Sequence, residues 1–155
     1  MINTYLIRKQ ESGVWYFTSE NGIIYHLLKF KTDRFDYQPK FKNKVYEFAF
    51  MANEEFISTK NILDFSVGKT IIGFVKKNLD KEPNKIIVYN CIDSDEKMQK
   101  RIKLFQRWFS SHADSGKYHL ENFNSGKCHF AVLLSKKNKD FNLFIKEIHE
   151  WLEVQ

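Results

Sequence analysis

Within residues 85–112 the spacing of apolar residues changes from a strand pattern to a helical one, and this change constrains the fold more than any other feature of the chain. Residues 86–89 are a run of β-branched and aromatic side chains, which is typical of a buried strand. Further on, apolar residues recur with helical spacing at Met98, Ile102, Phe105 and Phe109. The pattern therefore predicts a strand that leads into an amphipathic helix in the middle of the fold.

The rest of the chain contains more strand-like runs than helical ones. Strands are predicted at residues 5–9, 14–17, 23–30, 45–51, 118–123 and 127–135. Two more amphipathic helices are predicted, one capped by Ser66 and one from Phe141 onward. The order is β-β-β-β-α-β-α-β-β-α, so we expect an α+β fold with a largely antiparallel sheet and its three helices on one face.

Length and composition indicate one domain that covers residues 1–155. The chain is 43% hydrophobic and 16% aromatic, which is enough material for a sizeable core. Cys91 and Cys128 lack the spacing of a metal or redox motif, so reduced thiols are expected, with a single disulfide as the alternative. No signal-peptide pattern and no long apolar run is present, which predicts a cytoplasmic protein without a membrane partner.

The charge balance favours polyanionic partners only mildly. The chain has 25 Lys and Arg against 19 Asp and Glu, a net charge of +6. Only four of the 25 cations are Arg, the residue suited to bidentate contacts with phosphates and bases. A general enrichment in Lys explains the same balance without any nucleic acid.

The helix predicted after residue 95 is the part of the chain most suited to nucleic acid. Its basic side chains recur at three- and four-residue steps and so share one face, with an indole at the edge of the apolar stripe. The residues assigned to this nucleic-acid surface are Lys97, Lys100, Arg101, Lys103, Arg107 and Trp108. The alternative is a solvated helix face whose Lys stems cover the core.

The first hairpin is apolar on both of its faces. A two-residue loop at Asn21-Gly22 would place Tyr16, Tyr25 and Leu27 on the same side of the sheet. An open face of this kind could bind a protein partner, a second copy of the chain or stacked bases, and we predict the first or the second. The alternative is a sheet that curls and buries this face internally.

Three polar residues of the second hairpin form a weaker candidate site. A three-residue loop would pair Glu121 with His129 and bring His119 to the same face. Such a trio could bind a metal or move protons in a hydrolase, although a solvated polar sheet face explains it as well. No catalytic residue, metal or cofactor is predicted.

A short phosphate-loop-like sequence occurs at Gly68-Lys69-Thr70. A phosphate-binding loop also needs a glycine five residues earlier, where this chain has Leu63. We therefore interpret these residues as the first turn of a helix.

Several short segments resemble a family of small uncharacterised bacterial proteins that is described as a domain of unknown function. The residues that carry the resemblance are Tyr16-Phe17-Thr18, Asn21-Gly22-Ile23-Ile24-Tyr25, Ile86-Ile87-Val88-Tyr89-Asn90-Cys91, Arg101, Phe105 and Arg107-Trp108-Phe109. The resemblance covers most of the chain. It implies a single self-contained domain and no particular activity.

Three functional hypotheses follow. The first is a non-enzymatic module that binds a protein or itself through Tyr16, Tyr25 and Leu27. The second is a nucleic-acid-binding protein that uses the basic helix, and the third is a hydrolase that uses His119, Glu121 and His129.

Overall fold

The structure, a computed structural model, describes residues 4–33, 38–52, 65–91, 96–125 and 128–154. Within these ranges the elements follow the order predicted from the sequence. The strands are β1 (Arg8–Lys9), β2 (Trp15–Thr18), β3 (Ile24–Lys31), β4 (Val45–Ala52), β5 (Ile86–Cys91), β6 (Tyr118–Ser125) and β7 (Cys128–Ser135). The helices are α1 (Phe65–Lys81), α2 (Glu96–His112) and α3 (Phe141–Val154).

The described strands form one seven-stranded sheet in the order β1-β2-β3-β4-β5-β7-β6. Neighbouring strands are antiparallel except β4 and β5, which are parallel. Because α1 connects β4 to β5, the chain crosses over the sheet and re-enters it in the same direction, which a tight hairpin cannot do. The α+β class and the mainly antiparallel sheet are confirmed, and the single parallel pair makes the sheet a mixed one.

The helices lie on both faces of the sheet, so the expectation that they share one face is wrong. Side chains of α1 and α2 pack in one cluster with Phe48, Ile87 and Leu133. Side chains of α3 pack on the opposite face with Val88 and Val132. Since β5 and β7 carry apolar residues at consecutive positions, their two faces both need a cover.

The register of the first hairpin differs from the predicted one by a single residue. The backbone N–H of Ser19 donates to the carbonyl of Ile23 at 2.9 Å, which closes a three-residue turn, and Gly22 within that turn has a φ of 78°. Glycine takes this left-handed conformation without steric cost. A shift of one residue moves every following side chain to the other face.

The predicted placement of Tyr16, Tyr25 and Leu27 on one open face of the sheet is therefore wrong. Tyr25 pairs with Phe17 and Leu27 pairs with Trp15, on the side of the sheet that α1 and α2 cover. Tyr25 and Leu27 are both 0% exposed. Tyr16 points to the opposite side, beside His26.

The second hairpin also has a different register. Ser125 pairs with Cys128, so the loop has two residues rather than the predicted three. As a result Glu121 lies opposite Val132, and His119 lies opposite Leu134. The predicted pairing of Glu121 with His129 is wrong.

A close contact between α1 and α2 fixes the layer on the first face. A side chain at Gly68 would overlap the indole of Trp108, since an added Cβ would fall inside contact distance of three ring atoms. Trp108 is 3% exposed and also packs on Phe50 at 5.6 Å between ring centroids. Gly68 thus lets the two helices approach, which explains the glycine of the phosphate-loop-like sequence.

Candidate nucleic-acid interface

The three helices differ sharply in charge. Helices α1 and α2 together carry nine Lys and Arg residues against two acidic ones, whereas α3 carries one Lys against three Glu. Since α1 and α2 lie side by side on one face of the sheet and α3 on the other, the excess of basic residues among the helices lies on the α1–α2 face. We refer to the two helices of that side as the α1–α2 layer.

The predicted basic face of α2 is present in part. Lys100, Lys103 and Arg107 are exposed and lie on the outer side of the helix, as the spacing predicts. Arg101 is half-buried, beside the apolar stripe. The side chain of Lys97 lies outside the described residues.

Trp108 is not available for the stacking role that the sequence suggested. Its ring is buried between Gly68 and Phe50 and contributes to the packing of the α1–α2 layer. The mistake arises from its position at the edge of the apolar stripe, where the spacing alone does not show which side faces the neighbouring helix.

A groove with a volume of about 520 Å³ runs along the side of α1 that faces away from α2. Its far wall consists of the N-terminal segment 4–7 and Trp15 of β2. Two contacts of Tyr5 fix this wall. Its backbone N–H donates to Thr70 Oγ1 at 2.8 Å, and its ring stacks on Phe17 at 5.6 Å. We call this space the α1 groove.

One stripe of α1 lines the groove at four-residue steps. It consists of Lys69, Gly73, Lys77 and Lys81, and its three lysines are exposed. A fourth lysine, Lys29 of β3, lines the same groove. Glu82 is the one acidic residue among the described lining residues, so the groove is basic. These four positions of α1 are called the α1 stripe.

Gly73 has no packing contact that would explain a glycine at the centre of a helix. A Cβ built at this position meets no atom within 4 Å, in contrast to the one at Gly68. Glycine in a helix interior costs about 1 kcal/mol relative to alanine. The missing side chain therefore leaves room in the groove and adds nothing to the packing of the fold.

The aromatic part of the groove is Trp15. Its half-buried ring packs on Phe74 of α1 at 5.9 Å between centroids. The ammonium group of Lys9 lies 5.0 Å from the centre of the Trp15 ring, a cation–π contact at an exposed site. A planar aromatic group with cations around it is the combination that recognises a base together with its phosphate.

Polar contacts of Asn78 fix the groove near the C-terminal end of α1. Lys29 Nζ donates to Asn78 Oδ1 at 2.6 Å, and Asn78 Nδ2 donates to the carbonyl of Phe74 at 2.8 Å. Among the described residues, the ion pairs do not include Lys77 or Lys81. Both lysines can therefore bind an anionic ligand without breaking an ion pair of the described fold.

His112 at the end of α2 is sensitive to the positive charge of α1. Burial and the nearby charges of Lys69 and Lys76 lower the pKa of its imidazole. Lys76 Nζ also donates to the carbonyl of His112 at 3.1 Å. Burial is the larger cause, and the positive charges of the two lysines add to it by disfavouring the protonated imidazole.

The polar residues of the second hairpin meet a residue that the sequence did not suggest. Nε2 of His119 lies 2.5 Å from one carboxylate oxygen of Glu121, and Nε2 of His149 on α3 lies 3.6 Å from the other. His119 and Glu121 are therefore neighbours as predicted, but the third member is His149. Within the described residues, no group of three His, Cys, Asp or Glu is arranged to hold a metal ion.

The opposite face of the first hairpin carries apolar side chains that no described helix covers. Tyr16, Ile24 and Leu28 are half-buried there, and Phe30 and Met51 are 51% and 58% exposed. The hypothesis of a protein-binding module stays a prediction, and the residues named for it change accordingly.

Comparison with known proteins assigns no family to the chain. No protein-family model matches it, and no curated protein matches it either. The resemblance to a family of small bacterial proteins stays a prediction.

Among the described helices, none is long and apolar enough to span a membrane.

Sequence reasoning found the basic face of α2 and missed the α1 groove. A signal was present, because Lys69, Gly73, Lys77 and Lys81 follow one another at four-residue steps. The other wall of the groove is more than fifty residues away along the chain, so only the fold shows that the stripe faces an aromatic side chain.

Proposed function

We propose that the protein binds nucleic acid through the α1–α2 layer. The observation that carries this proposal is the separation of charge among the helices, with nine basic residues against two acidic ones on α1 and α2 and an acidic excess on α3. Phosphate groups bind such a surface by displacing condensed counterions, and no base-specific contact is needed.

The arrangement of α2 supports a contact with the phosphate backbone. Lys100, Lys103 and Arg107 are exposed on one side of a single helix. With lysine as its main cation, this surface supplies charge with little base readout, because bidentate base contacts depend mainly on arginine. We therefore expect binding that varies little with sequence.

The two other hypotheses have less support. Protein binding through Tyr16, Tyr25 and Leu27 loses its basis because two of the three side chains are buried. Hydrolysis at His119, Glu121 and His129 loses the register on which it was built.

Fluorescence anisotropy with a labelled oligonucleotide tests the proposal. At about 50 mM salt we expect binding that the triple variant Lys100→Glu, Lys103→Glu, Arg107→Glu weakens by more than tenfold, since three phosphate contacts are replaced by repulsion. The charge-matched control is Lys40→Glu, Lys42→Glu, Lys137→Glu, three exposed lysines outside the α1–α2 layer.

Two results would overturn the proposal. One is no binding of single-stranded or duplex DNA or RNA at this salt concentration. The other is an equal loss of affinity in both triple variants, which would show an effect of net charge alone. Binding of anionic vesicles with no binding of oligonucleotides would assign the layer to a membrane surface instead.

A further inference from the structure

The α1 groove has features that a simple phosphate-binding surface does not need. A row of lysines on a helix is sufficient to attract a phosphate backbone. Here the row is interrupted by Gly73, faces an indole across a space of about 520 Å³, and is closed on its far side by segment 4–7. A space of this size is typical of sites that enclose a small organic group.

Gly73 reduces the stability of its own helix by about 1 kcal/mol relative to alanine. Residues that break local rules without a packing reason are expected at functional sites. The gain at Gly73 is open space, and Lys69 and Lys77 on either side of it in the α1 stripe add positive charge. Together they point to a ligand with a planar part and an anionic part.

We propose that the α1 groove takes one unpaired nucleotide of a single strand. The base would lie over Gly73 and stack on Trp15, and the adjoining phosphates would contact Lys69, Lys77 and Lys81. This inference rests on the proposed nucleic-acid function and adds to it a preference for single strands. A base within a duplex is stacked and paired, so it cannot enter the groove without being extruded.

Substitutions at Gly73 separate this role from stability. Gly73→Leu fills the space over the helix, and because leucine is a better helix former than glycine the variant should unfold at the same temperature or higher. We expect its affinity for a single-stranded oligonucleotide to fall by at least about fivefold, the loss associated with one stacked base. Gly73→Ala is the graded control, for which we expect a smaller loss of affinity and a similar gain in stability.

A second pair of measurements identifies the stacking partner. Binding of a single strand should quench the fluorescence of Trp15, and Trp15→Phe should remove most of that quenching while retaining part of the affinity. Thermal unfolding of each variant shows that the fold is intact. The duplex of the same sequence should bind Gly73→Leu as well as the original protein, since it contacts only the exposed cations.

The outcomes distinguish the two proposals. If Gly73→Leu leaves single-strand affinity unchanged, or lowers single-strand and duplex affinity equally, the nucleotide site is overturned while the α1–α2 layer remains. If neither nucleic acid binds the original protein, both proposals are overturned. A selective loss of single-strand binding supports the site.

Discussion

Two glycines of α1 show how different causes lead to the same residue. Gly68 lies against the indole of Trp108, whereas Gly73 faces open space. Both positions have helical backbone, so neither glycine is explained by a left-handed conformation. The first permits close packing of two helices, and the second leaves a groove open.

The two positions should therefore respond in opposite ways to alanine. Gly68→Ala should lower the free energy of unfolding by about 1–3 kcal/mol, because the overlap with Trp108 outweighs the better helix propensity. Gly73→Ala should raise it by up to about 1 kcal/mol. Denaturant unfolding of the two variants provides the comparison, and a stabilised Gly68→Ala would contradict the packing described above.

Tyr118 is a second residue whose surroundings give a measurable effect. Burial, the hydrogen bond to Asp80 and the charges of Asp80 and Asp114 raise the pKa of Tyr118 to about 12. The phenol donates to Asp80 Oδ1 at 2.5 Å. Because the pKa is higher in the folded state, the stabilising contribution is complete below about pH 10 and is lost as the pH rises through about 12.

Ultraviolet titration of the phenol tests this assignment. In Asp80→Asn the pKa of Tyr118 should fall but stay above the ordinary value of about 10, since burial, the largest cause, remains. Asp114→Asn should lower the pKa less, because its charge is the smallest of the causes. An equal fall of the pKa in both variants would show that the hydrogen bond to Asp80 does not contribute to the raised pKa of Tyr118.

At the scale of elements, the approach of α1 to α2 links the basic surface to a titrating group. Lys69 and Lys76 lower the pKa of His112, after the effect of burial. A polyanion that neutralises these lysines should therefore raise the pKa of His112 toward its ordinary value. NMR titration of the imidazole with and without oligonucleotide measures the change.

A variant that lacks one of the two charges provides the control, and it is measured with and without oligonucleotide. Lys76→Met removes one of the two charges, so the pKa of His112 should rise in the free protein and rise less on binding. If the oligonucleotide binds and the pKa of His112 stays the same in the original protein, the ligand does not contact Lys69 or Lys76.

The elements could be predicted from the sequence more reliably than their pairing. Hydrophobic periods of two and of 3.6 residues gave the order of strands and helices, because burial of one face imposes those periods directly. The hairpin registers could not be predicted, since Asn21-Gly22 is compatible with a two-residue and a three-residue turn. A one-residue difference was enough to exchange the buried and open faces.

The candidate site could be predicted only where it depends on one element. The outer face of α2 follows from the spacing of Lys100, Lys103 and Arg107 alone. The α1 groove depends on where the N-terminal segment lies, and that position is set by the contacts of Tyr5 with Thr70 and Phe17. Contacts between residues so distant along the chain leave no periodic signal.

For the whole molecule, the separation of charge predicts the dependence of binding on salt. Six exposed cations lie on the α1–α2 layer and in its groove, namely Lys69, Lys77, Lys81, Lys100, Lys103 and Arg107. If all of them contact phosphates of a single strand, the logarithm of the binding constant should fall against the logarithm of the salt concentration with a slope of about −4.

Variants of α1 and of α2 should each reduce the magnitude of this slope, which shows how much each helix contributes to it. The triple α2 variant should reduce its magnitude by about two, and Lys69→Gln, Lys77→Gln, Lys81→Gln by a similar amount. Anisotropy titrations between about 50 and 200 mM salt give each value. A slope near zero would show that the basic residues do not contact phosphate.

The way in which Tyr5 holds the segment 4–7 against α1 has a practical consequence. Thr4 lines the groove at the edge of the described residues. An affinity tag inserted next to Thr4 would lie beside the opening and compete with any incoming molecule, particularly if the tag were acidic. A tag placed after α3 follows a helix on the other face of the sheet, so that position is preferable for recombinant protein intended for ligand screening.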